Sequence, residues 1–479
     1  MRSFSFQAIF GLFLWTTGCQ RQTIEALHRC GLSLSFVSII KLRGTLADRC
    51  IDLASEVAAG PHVLSWDNIN ISTSIFVEQR KDAPSKVQSG TFAVMYKIVA
   101  EPAQLALGPI MGRARKASDL DFDLHIKPTP EQLASVHWQM KTLVVRVLTT
   151  FSKPFVAYAA SPQLQHKPRR LLKLTKTQTY PLRVTTINEA TVEGTIKVWI
   201  NVYEQTKRTA TSMDNLAVPS INDQLTNSRV RGAQALRIRE DKPFLRLSNI
   251  QLAYGAFHKC LNLVWGLLKT HQGTIGELGS LKYFFALLEK TRLANDKPDY
   301  HTLLAALMQV LHGVLLEAWH RECGFSSLAA FEASKPNTEA LLAIAEKILL
   351  KYAVPMPECP APPKGSKPAG EDSEPDESSE DGSDIDSRPG TPDPEERNDG
   401  VNAPDPQDDC AHRNIRLLVR DLLYVAELVR AISDGDWGRI EDILGQLTMM
   451  FRGTGSNNYS TELLHFLRNL KLVWGDVFA

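Results

Sequence analysis

No Cys-x-x-Cys pair occurs in the chain, and its seven cysteines (Cys19, Cys30, Cys50, Cys260, Cys323, Cys359 and Cys410) lie far apart. An odd and scattered set argues against a disulfide framework and a structural zinc site, and fits a reducing compartment. His-Glu-x-x-His, Gly-x-Ser-x-Gly and a phosphate-cradling glycine loop are also missing. Zinc proteases, serine hydrolases of that motif and P-loop nucleotidases are thereby set aside. No segment after the N-terminus reads as a membrane span, because the apolar stretch 300–321 is interrupted by His312, Glu317 and His320. No membrane partner is expected. The run Phe4 to Trp15, with Arg2 before it and Cys19 after it, imitates a signal peptide but has no clean small-residue cleavage site. It is expected to be an apolar helix of a longer N-terminal region, in a protein that is nuclear or cytoplasmic and not secreted. No internal repeat is visible, and a homo-oligomer finds no support in the sequence.

What is present is a hidden charge asymmetry. The 479 residues carry 54 Lys and Arg against 53 Asp and Glu, a net +1. Residues 371–410 alone hold 16 acids and two bases, Arg388 and Arg397, leaving 52 bases against 37 acids elsewhere. The rest of the chain is therefore +15, a balance that tolerates nucleic acid or acidic partners without demanding them. Around those acids, residues 355–411 are dominated by Pro, Ser, Gly, Asp and Glu, and this segment is expected to be a disordered acidic linker.

Hydrophobic patterning divides the remainder. Residues 1–57 read as a helical segment in which helix, Gly-Ser turn and helix imitate a helix-turn-helix unit, a signal shared by any helical bundle. Residues 61–255 read as an α/β region. Strands are expected at 61–67 and 89–99, a strand or tight turn at 216–223, a half-solvated strand or linker at 119–126, and helices at about 130–153 and 188–206. Residues 256–354 are almost wholly helical, with segments at 256–271, 277–290, 300–321 and 338–353. Three more helices are expected near 412–432, 436–450 and 459–473, so that residues 412–473 close the structure.

Two acids occupy matching contexts. Asp67 and Asp223 each stand where an expected strand ends, and an amide or hydroxyl residue follows each within three positions. Parallel sheets gather ligands at the carboxyl ends of their strands, so these two can meet although 156 residues separate them. Carboxylates around Mg²⁺ or Mn²⁺ are what phosphodiester transfer uses, because the ions activate the attacking oxygen and stabilise the leaving one. The opposing reading is that each aspartate is an ordinary turn or helix-capping residue. Glu462, Glu441 and Asp442 are the candidates for a third acid, and spacing does not choose among them. Asp119, Asp121 and Asp123 alternate along one face and form a weaker metal candidate. His258 with His271, and His312 with His320, lack the i, i+4 spacing of a metal pair. Arg229, Arg231, Arg237 and Arg239 follow Asp223 closely, and Lys167, Arg169 and Arg170 form a second basic cluster with Lys173 and Lys176. Such clusters grip phosphate backbones, or lie on a solvated face.

Six strings, taken in order, point to a family. They are Trp66-Asp-Asn-Ile-Asn70, Gln88-Ser-Gly-Thr91, Glu193-Gly-Thr195, Asp223-Gln-Leu-Thr226, Gly255-Ala-Phe-His258 and the run from Phe451 to Glu462. Together they resemble a fungal family of mushroom-forming species, domain of unknown function 6589, from near residue 7 to the end apart from the acidic stretch. The resemblance implies descent from DNA transposases and an α/β fold: an interrupted RNase H-like mixed sheet with a large helical insertion at 256–354. It further implies that Asp67, Asp223 and Glu462 hold two Mg²⁺ (or Mn²⁺) ions and catalyse DNA strand cleavage or strand transfer. The basic residues would then neutralise DNA phosphates. The alternative is a catalytically inactive, transposon-derived DNA-binding or interaction scaffold. The chain departs from the family pattern in carrying Asn222 where members usually have Gly before the Asp-Gln-Leu-Thr run.

Overall fold

The computed structural model describes residues 4–72, 87–295, 297–353, 410–475 and 478. The expected acidic linker therefore lies outside the described residues, apart from its last positions. At the N-terminus, helices α1 (Ser5–Thr16), α2 (Arg21–Arg29) and α3 (Phe36–Val57) pack on one another. Buried Gly11 permits the close approach of α1 to α3, since a Cβ there would meet the Ile39 side chain at 2.9 Å. Ser35 caps α3 by accepting the Ser38 N–H at 3.2 Å.

The chain then builds a mixed five-stranded sheet from β1 (His62–Ser72), β2 (Val87–Lys97), β3 (Gln178–Pro181), β4 (Val218–Asn222) and β5 (Ile250–Tyr254). The order is β3-β2-β1-β4-β5. β2 runs antiparallel to β1 and to β3, whereas β1, β4 and β5 are parallel neighbours. Asp67 was expected at the end of its strand; it lies within β1, opposite Phe92 of β2. Leu64 and Trp66 alternate inward and are buried, while Asp67 is exposed, as the two-residue period of a strand requires.

Helices α4 (Leu107–Ala114) and α5 (Pro130–Phe151) precede β3, and α6 (Val192–Gln205) and α7 (Ala210–Met213) follow it. After β4 comes α8 (Gln224–Leu236). Trp199 and Tyr203 of α6 and Val230 and Ala233 of α8 bury themselves with Leu64, Trp66, Met95 and Val218 in one core. The indole N–H of Trp199 donates to the Phe244 carbonyl at 3.1 Å, so this core leaves that polar group satisfied.

A second, helical core joins α5 to the later helices: α9 (Ala256–Thr270), α10 (Leu281–Leu287), α11 (Tyr300–Glu322), α12 (Leu328–Ala333) and α13 (Thr338–Tyr352), then α14 (Cys410–Asp434), α15 (Trp437–Gly453) and α16 (Asn457–Arg468). Among the described residues α11 alone is long and apolar enough to cross a membrane, yet 44% of that stretch is buried inside this core. Leu303, Leu307, Leu315 and Trp319 supply the buried contacts. The alternating stretch 119–126 is not a strand: Phe122–Ile126 forms a single helical turn, capped by Asp121, which accepts the Leu124 N–H at 2.9 Å.

The chain is thus an α/β protein with a mixed sheet and a large helical portion. Where α16 packs on β5, the two cores adjoin.

Candidate functional site

The parallel pairing of β1 and β4 is at Leu64 and Ser220. Two residues further on, the Asn222 side chain takes over, accepting the Trp66 N–H at 3.1 Å. Its amide group donates to Ser220 Oγ at 2.9 Å and to Asn227 Oδ1 at 3.3 Å. Asn222 is therefore a buried peg between the two strands. Asp67 and Asp223 follow directly on this pegged pair.

A third carboxylate joins them, and it is not Glu462. Glu189, buried just before α6, accepts the Thr226 hydroxyl through Oε1 at 3.2 Å, while its Oε2 has no hydrogen-bond partner. Burial, then the charges of Asp67 and Asp223, push the Glu189 carboxyl up to about 7. Asp223 is half-buried and spends one oxygen capping α8, accepting the Thr226 N–H at 2.7 Å. Exposed Asp67 accepts the Asn68 N–H at 2.7 Å. In sequence Glu189 reads only as a residue that opens a helix, and nothing local marks it as a neighbour of the two aspartates.

Glu462 stands on α16, and both of its oxygens are taken. Asn227 Nδ2 donates to one at 2.8 Å and the Arg231 guanidinium to the other at 2.6 Å. The carboxylate is 3% exposed. Beside it, Lys259 of α9 is also 3% exposed, with its Nζ 4.4 Å from the Tyr254 ring centroid and no hydrogen-bond partner. Burial brings this amine down to about 7, with Glu462 opposing and Arg231 assisting. The ring of Tyr459 lies 5.8 Å from the same amine.

This arrangement corrects the metal assignment. Among the described residues no group of three or more His, Cys, Asp or Glu is placed to hold a metal ion. The physical reason is visible in the partners: Arg231 already neutralises Glu462, and Asp223 is committed to the start of α8. Mg²⁺ or Mn²⁺ bound by Asp67, Asp223 and Glu462, and the metal-dependent DNA cleavage or strand transfer built on it, are overturned. Glu441 and Asp442 do not supply the missing acid either, since they pair with Arg170 and Arg169 at 2.9 and 3.0 Å. Nor do Asp119, Asp121 and Asp123 form such a group.

The two basic clusters are placed differently. On α8, Arg229 is half-buried beside the acids, Arg231 is paired with Glu462, and just beyond the helix Arg237 pairs with Glu240 at 2.7 Å while Arg239 is exposed. The second cluster is bound to α15. Arg169 and Arg170 donate backbone N–H groups to Asp436 at 2.9 and 2.8 Å, besides their side-chain pairs with Asp442 and Glu441. Gly438 permits this contact, because a Cβ there would stand 2.6 Å from the Arg169 Cβ. Lys167 lies 3.9 Å above the Trp138 ring.

The fold and site define an α/β protein whose sheet terminus gathers acids and arginines in close pairs. The chain belongs to the family of unknown function DUF6589, whose model matches residues 115–479. No curated protein and no solved structure matches it.

Proposed function

We propose that the chain is a catalytically inactive, transposon-derived scaffold that binds DNA through the arginines on and just after α8 and acts in the nucleus. The observation that carries this reading is the ion pair between half-buried Arg231 and buried Glu462. It fills with a guanidinium the position where the resembled transposases would need an open carboxylate. The strand order β3-β2-β1-β4-β5, in which β2 runs against the other described strands, supports an RNase H-like ancestry. Arg229 near the start of α8, and Arg237 and Arg239 beyond its end, place cations along a helix about 20 Å long. That span suits contacts to successive backbone phosphates. Lys167, Arg169 and Arg170, held by Trp138 and α15, are left out of this surface.

The test is fluorescence anisotropy of a labelled DNA duplex at several salt concentrations. The double variant Arg229→Gln/Arg239→Gln should weaken binding across unrelated sequences and flatten the log–log salt dependence by about 2. An unchanged slope, or no binding by the native chain, overturns the proposal.

A further inference from the structure

A cleft of about 540 Å³ opens where α4, α8, the edge strand β5 and α16 meet. Its volume falls within the range of small-molecule sites, roughly 300–1,000 Å³. Four guanidiniums line it: Arg115 beyond α4, Arg231 on α8, Arg246 before β5 and Arg468 on α16. Against them stands a single carboxylate, Glu462, which leaves a formal charge of +3 with His465 neutral.

Two of the three side-chain amides in the lining, those of Gln234 and Gln251, are already spent, whereas that of Asn469 is not. Gln234 donates to the carbonyls of Leu247 and Ile250, and Gln251 donates to that of Ser248 and accepts the Trp474 indole N–H. The arginines are not spent to the same degree. The Arg246 guanidinium donates only to the Glu240 and Asp241 carbonyls, and the guanidiniums of Arg115 and Arg468 make no hydrogen bond or ion pair to the described residues. Met111, Ile238, Leu252 and Val473 add an apolar wall.

From this juxtaposition we infer that the cleft binds a nucleoside phosphate, its phosphate chain gripped by Arg115, Arg246 and Arg468 and its base laid on the apolar wall. Guanidiniums match phosphate oxygens two at a time, and a flat ring suits an aliphatic surface. His465 reports on the site: burial, then Arg231, holds its imidazole below the ordinary range, with Glu462 opposing and Arg468 adding to the depression. A bound phosphate would relieve the crowding of cations and raise it. The inference does not rest on DNA binding by α8.

Isothermal titration of the full chain with ATP in the absence of metal, and with adenosine as control, tests this. ATP should bind and adenosine should not. The variant Arg115→Gln/Arg468→Gln should weaken ATP at least ~10-fold, the loss of two charge-assisted contacts, and Arg49→Gln, at an exposed position on α3, should leave it unchanged. In the native chain, NMR should show the His465 pKa rising when ATP is added, a readout independent of whether the variant folds. Absence of ATP binding, equal weakening by Arg49→Gln, or a His465 resonance that responds to a DNA oligonucleotide but not to ATP would each overturn the assignment.

Discussion

Replacing Lys259 by methionine should stabilise the protein, and more so in acid than in base. The amine is 3% exposed, touches aromatic faces rather than hydrogen-bond acceptors, and titrates near 7 instead of its ordinary 10.5. A folded-state pKa below the unfolded one means that the unfolded chain binds the extra proton between pH 7 and 10.5. Stability contributed by this group therefore rises with pH across that window, and its full cost is felt below pH 7. The displacement corresponds to roughly 5 kcal/mol at most, at about 1.36 kcal/mol per unit. Methionine keeps the length of the side chain and removes the charge. Urea unfolding of both proteins at pH 6 and pH 9 should give a stabilisation by Lys259→Met that is about 3 kcal/mol larger at pH 6. A variant less stable than the native chain at pH 6, or one whose advantage does not change with pH, would refute the reasoning. It would mean that the contact with Tyr254 and the attraction of Glu462 outweigh desolvation.

Three other outcomes follow from the packing. Glu189, pushed up to about 7 from 4.5, binds more protons folded than unfolded, so stability falls as pH rises between those values. Glu189→Gln should gain about 2–3 kcal/mol over the native chain above pH 7 and little below pH 4.5, as read by denaturant titration. Arg439 makes two hydrogen bonds to Glu427, at 2.7 and 2.8 Å, and both side chains are almost fully buried. Arg439→Met should cost about 3–5 kcal/mol by leaving that carboxylate unpaired, and adding Glu427→Met should restore most of it. Gly445→Ala would place a Cβ 1.9 Å from the Ile126 carbonyl oxygen, whereas nothing lies within 4 Å of such a Cβ at Gly453. The first should lower thermal stability by about 3 kcal/mol or more, and Gly453→Ala should change it by less than about 1 kcal/mol.

The long helices were legible because their apolar residues recur on one face over many turns. Pro130–Phe151 and Tyr300–Glu322 lie close to their expected bounds. β4 was legible from its apolar run, and β1 was placed correctly at its start. β3 was missed because Gln178–Pro181 is short, polar and ends in proline. β5 was missed because Ile250–Tyr254 is only five residues long and Gly255 joins it directly to α9. At the site, Asp67 and Asp223 stood out as acids at expected strand ends, although Asp67 lies within β1. The partners that decide their chemistry were not. Arg231 meets Glu462 across 231 residues, and Arg169 meets Asp442 across 273. A basic run looks the same in sequence whether it faces solvent or is closed by acids from another helix. Glu189 was hidden for the same reason, since its neighbours come from β1 and the start of α8 and not from its own segment.

The most direct test of the scaffold reading follows one sample of native protein with labelled duplex DNA through both binding and integrity. Anisotropy and denaturing electrophoresis would be read together in Mg²⁺, in Mn²⁺ and in chelator. The account predicts DNA that is bound in a salt-dependent way and stays intact in all three conditions. Nicks or strand-transfer products that form with metal and vanish with chelator would contradict it.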